Sequence, residues 1–100
     1  MQFQQSPEPI EGRTVFGFAT TGAGTEFQAN LDQQILTVGQ WCLQNLGPGT
    51  FDFFITRTSL STLWTGANSS LSVREKRVEV IVTVAIADPM LAMQFALTWR

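Results

Sequence analysis

Apolar residues recur along the chain with two periods. Phe27, Leu31, Ile35, Val38, Cys42 and Leu46 follow one another at steps of four, four, three, four and four. Those steps place all six on one stripe of a helix, which Leu43 widens. At its start, Thr25 and Gln28 have capping-box spacing, and Glu26 complements the N-terminal dipole. Gly47-Pro48-Gly49 ends it, with a left-handed glycine cap and a proline that cannot continue the helix.

Elsewhere the period is two. Arg13 to Thr20 reads as a first strand, with Val15, Phe16 and Phe18 as strand formers. Gly17 between the two Phe residues marks a bulge or close packing. Phe51 to about Trp64 reads as a second strand, continuous or broken, with Phe51, Phe53 and Ile55 on one face and Asp52, Phe54 and Thr56 on the other. Gly66-Ala67-Asn68-Ser69 is a turn. Leu71 to Ala87 is a third strand in which Val78, Val80, Val82, Val84 and Ile86 share a face. From Ile81 onward its other face is also apolar or small, which predicts a central position or a covered outer face.

Residues 90–99 admit two readings. Leu91, Met93, Phe95, Leu97 and Trp99 alternate with smaller or polar residues, as in a strand. Asp88 as a cap with Pro89 at the first helical position would instead open a short helix. The period-two match is the better one, so a fourth strand is preferred. Residues 1–12, with Pro7, Pro9 and several Gln, read as a flexible N-terminal arm, either frayed or ordered against a neighbouring subunit.

The expected architecture is α+β in the order β-α-β-β-β. One amphipathic helix packs on a mainly antiparallel four-stranded sheet with long hairpins. Residues 13–100 form a single domain after the 1–12 arm. At about 3.3 Å per residue, the long third strand must cross the whole domain or project beyond it.

Charge alters this picture. Asp, Glu, Lys and Arg make up 14% of the chain, against about 25% in an average soluble domain. No Lys or Arg occurs between Arg13 and Arg57. The polar side of the helix carries Gln28, Asn30, Asp32, Gln33, Gln34, Gln40, Gln44 and Asn45, of which only Asp32 is charged. Amides can be covered by a partner without the desolvation cost of ions; the alternative is a neutral but wet face. Arg74, Lys76 and Arg77 are interrupted by Glu75 and read as a solvated strand end, so nucleic acid is not an expected partner. No stretch reaches the roughly 18 apolar residues of a membrane-spanning helix, so no membrane partner is expected. Met1 to Gln5 lacks the basic start of a signal peptide, and a cytoplasmic or virion location is expected.

Candidate chemistry is sparse. The chain has no His and no Tyr, which removes the commonest acid–base side chain and every Ser-His or Cys-His arrangement. One Cys and no His cannot complete a Cys/His metal site. Cys42 lies on the apolar stripe with no cation beside it and reads as a packing residue. Asp52 reads as a solvating group at a strand end. Thr21-Gly22-Ala23-Gly24-Thr25 lacks the third glycine and the Lys of nucleotide loops, and reads as an ordinary connection. No enzyme activity, cofactor or metal is expected.

The expectation is a non-enzymatic subunit that assembles with copies of itself into a ring or lattice, and with other assembly proteins. The candidate interface residues are Gln33, Gln40, Trp41, Gln44, Leu60, Leu63, Trp64, Ile81 and Ala85. Plans of this kind occur in phage head–tail joining, tail and decoration proteins, an architecture-level analogy with no sequence motif behind it. A regulator or inhibitor that docks on a host protein through Trp64 and the turn at 66–69 is the alternative. A small-ligand carrier with a pocket between helix and sheet is the third reading.

Overall fold

The computed structural model describes the backbone of residues 1–65 and 72–100, and the side chains of 1–60 and 77–100. The elements are β1 (Gln4–Gln5), β2 (Thr14–Gly22), α1 (Thr25–Asn45), β3 (Phe51–Thr65), β4 (Ser72–Ile86) and α2 (Pro89–Trp99). The four strands form one antiparallel sheet in the order β1-β2-β4-β3. The α+β class is as the sequence indicates, but the order of elements is not.

The last element is a helix rather than a strand. Asp88 Oδ1 accepts hydrogen bonds from the backbone N–H of Met90 and Leu91, and Pro89 occupies the first turn. Pro has no N–H to lose there, and its fixed φ already suits a helix. Large side chains at alternate positions misled the strand reading. Ala92 and Phe95, three apart, are the buried pair in α2.

The fourth strand comes instead from the N-terminal segment. Gln4 pairs with Gly17 and Gln5 with Phe16. The Phe3 N–H donates to the Trp99 carbonyl at 2.7 Å, and the Phe3 ring is buried. Residues 3–5 are thus tied to their own chain, between β2 and the end of α2.

Helix α1 follows its predicted stripe. Leu31, Ile35, Val38, Cys42 and Leu46 are buried, and Phe27 is half-buried. Leu43 is not part of it and lies exposed with Leu36, seven residues earlier. The capping box at Thr25 does not form. Gly24 occupies the N-cap with φ 92°, and no side chain caps the helix. A Cβ on Gly22 would lie 2.5 Å from the Phe27 ring, so this close strand–helix contact requires a glycine. The C-terminus is as expected: Gly47, at φ 90°, donates its N–H to the Cys42 carbonyl in the left-handed conformation that glycine tolerates best.

β4 is the central long strand, flanked by β2 along Val78–Ile86 and by β3 along its whole length. Gly17 lies in an unbroken register with Thr83, so β2 contains no bulge. Phe16, Val80, Val82, Val84 and Ile86 point to one face, where they meet α1 and α2 in one core with Phe3 and Phe95. Phe95 is at its centre, with its ring 5.2 Å from Phe3, 4.7 Å from Phe16 and 5.9 Å from Trp41.

Among the described residues, no helix lies over the opposite sheet face. β3 and β4 outrun β2, so residues 60–65 and 72–77 pair only with each other. The radius of gyration is 17.5 Å and the long axis 59 Å, against roughly 13 Å expected for a compact chain of this length. The long strands therefore project. The predicted turn at 66–69 lies outside the described residues.

Candidate interaction surfaces

β3 is the edge of the sheet for all of its fifteen residues. Its register with β4 is continuous from Phe51 to Thr65. Native edges are usually blunted by Lys, Pro, bulges or shortness. β3 contains no Lys and no Pro, its register shows no bulge, and it is long. Its two charged residues are engaged within the chain. Asp52 forms an ion pair with Arg13, and Arg57 Nη2 lies 2.6 Å from Asp32 Oδ1 of α1. Asp52 is therefore more than a solvating group. Arg13 and Asp52 flank β4 on the sheet's outer face, near Ala85, which is only 8% exposed.

The candidate interface residues are spread over the molecule. Gln33, Gln40 and Gln44 are exposed along α1, in the helix layer. Trp41 is half-buried and faces inward, edge-to-face with Phe95 and Trp99, in the seam between the two helices of its own chain. Ile81 and Ala85 lie on the opposite sheet face, Ile81 half-buried and Ala85 buried. Leu60 is exposed where the two-stranded ribbon begins. The side chains of Leu63 and Trp64 lie outside the described residues, as do those of Arg74 and Lys76.

Ile81 and Thr83 also line a groove of about 870 Å³ together with Met1, Gln4, Gln5 and Gly17. No charged side chain lines it. It borders β2 where β1, only two residues long, leaves the strand's edge free beyond Gly17. The sheet thus has a long open edge at β3 and a shorter one at β2.

One apolar surface escapes the strand reading. Met90, Met93 and Leu97 are 80%, 65% and 83% exposed. On a strand Met93 and Leu97 would share a face and Met90 would not; on α2 the steps of three and four align all three. The Asp-Pro helix start was the available signal.

The Cys42 thiol is buried, and desolvation pushes its pKa up to about 11, which suppresses the thiolate. Among the described residues no three His, Cys, Asp or Glu side chains come together. No helix among them is long and apolar enough to cross a membrane. The Trp99 indole Nε1 is buried and has no hydrogen-bond partner among the described residues. No protein-family model, no curated protein and no solved structure matches the chain.

Proposed function

We propose that this protein is a non-enzymatic assembly subunit whose copies join by strand addition into a ring or lattice. The observation that carries this reading is the β3 edge, a fifteen-residue strand whose alternate residues turn backbone donors and acceptors outward, with no Lys, no Pro and no bulge, and with its two charges paired inside the chain. Main-chain hydrogen bonds to a further strand would satisfy those groups. The second open edge, at β2, provides a different surface on the same molecule. Joining one edge to the other is a head-to-tail contact, which closes into rings or extends into lattices. The amide face of α1 fits this role, because covering Gln33, Gln40 and Gln44 desolvates no charge. Within this class, the virion proteins of phage head–tail joining, tail or decoration type are the analogues in architecture, and other assembly proteins are the further partners.

The test is the native mass of Phe54→Lys/Thr56→Lys. Both positions are exposed on the outer face of β3, so the fold should tolerate the change. Wild-type protein is expected to form ring- or lattice-sized oligomers by light scattering, and the double variant to fall to dimer or monomer while keeping its circular dichroism. A wild-type chain that stays monomeric at high concentration would refute strand-mediated assembly.

A further inference from the structure

We infer that the exposed face of α2 is a second interface, packing antiparallel on α2 of another copy across a two-fold axis. It uses a different element from the β3 edge and does not depend on strand addition. Met90, Met93 and Leu97 form an apolar stripe over three turns, and no residue from Pro89 to Trp99 is charged. The charges lie at the two ends and are of opposite sign. Asp88 uses Oδ1 to cap the helix, while Oδ2 has no partner among the described residues. The Arg100 guanidinium makes, among the described residues, one long hydrogen bond of 3.5 Å to Gln5 Oε1.

An antiparallel pair brings Asp88 of each copy beside Arg100 of the other and opposes the two helix dipoles. A two-fold contact requires a self-complementary patch. Here Met90 comes opposite Leu97 of the second copy, and Met93 lies near the axis. Beside the stripe is a cavity of about 370 Å³, bordered by Thr14, Phe16, Ala92, Met93, Ala96 and Leu97. A methionine from the second copy is suited to such an irregular gap. A lipid surface fits less well, because helices that lie in a membrane interface carry several Lys or Arg on their polar side and α2 has none within its span. The face consists of three exposed side chains on an eleven-residue helix, so the pairing is weak and depends on concentration.

Met93→Cys tests this pairing. Mild oxidation should give a disulfide-linked dimer, because residues near a two-fold axis meet their own counterparts. Pro48→Cys, exposed in the turn after α1, should remain unlinked, and buried Cys42 should not contribute. Leu97→Glu should weaken self-association of the wild-type chain by about tenfold or more. The Met93→Cys link should persist when Phe54→Lys/Thr56→Lys is added, which separates the α2 contact from assembly at β3. A folded Met93→Cys variant that forms no dimer at high concentration overturns the inference and leaves the β3 reading standing. Co-sedimentation with anionic vesicles that Leu97→Glu abolishes would assign the stripe to a membrane instead, and would also overturn it.

Discussion

At the scale of single residues, Phe95 holds the most together. Its ring touches aromatic side chains from the N-terminal segment, β2 and α1. All three meet at this one side chain, which is itself fully buried. Truncation leaves a cavity among the rings of Phe3, Phe16 and Trp41, each of which packs tilted or edge-to-face on Phe95. Phe95→Ala is therefore expected to cost about 3–5 kcal/mol, a large part of the 5–15 kcal/mol typical of a small domain. Urea denaturation monitored by Trp fluorescence measures it, since Trp41 packs directly on the ring. A loss below about 1 kcal/mol would mean that the aromatic cluster is not the joint of the core.

At the scale of elements, α2 shows where sequence patterning succeeds and where it fails. The stripe of α1 was legible because it runs for twenty residues, long enough that only a helical period fits. Period two made parts of the two long strands legible, at 51–56 and 77–87, whereas Leu60, Leu63 and Trp64 break the alternation. α2 has only eleven residues, and its large side chains at 91, 93, 95, 97 and 99 satisfy a strand pattern as well as a helical one. The deciding information is local, in the side-chain oxygen of Asp88 and the missing N–H of Pro89. Residues 3–5 were illegible for another reason. Two prolines identify an extended segment, but only tertiary packing of Phe3 determines that it lies along β2. The candidate interface was legible in part, since the amides of α1 could be read from a helix already predicted. Met90, Met93 and Leu97 became a surface only once α2 was a helix. If the cap decides the conformation of α2, Asp88→Ala should destabilise the protein by about 0.5–2 kcal/mol, and Asp88→Asn or Asp88→Ser should restore most of it. Equal losses in all three variants, measured by thermal unfolding, would show that packing alone holds the helix.

At the scale of the whole molecule, the scarcity of charge becomes a statement about association. The ion pairs Arg13–Asp52 and Arg57–Asp32 are made within the chain. They consume the two charges on β3, and so leave its edge neutral. The groove along β1 and β2 is neutral as well. Contacts that join such surfaces bury backbone hydrogen bonds, amides and apolar side chains, none of which salt screens strongly. Long-range steering between charged faces, by contrast, falls off within a Debye length of about 10 Å at 0.1 M salt. The charges at the ends of α2 sit at the rim of the proposed two-fold contact, where exposed pairs contribute about 1 kcal/mol or less. Self-association should therefore change by less than about threefold when ionic strength is raised roughly tenfold, and its modest salt-sensitive part should disappear in Arg100→Gln. Analytical ultracentrifugation at the two ionic strengths measures this. A steep fall in association with salt would mean that charged residues drive assembly, which would place the contact at the charged part of β4 around Arg77 and Glu79 rather than on the neutral edge and the helix stripe.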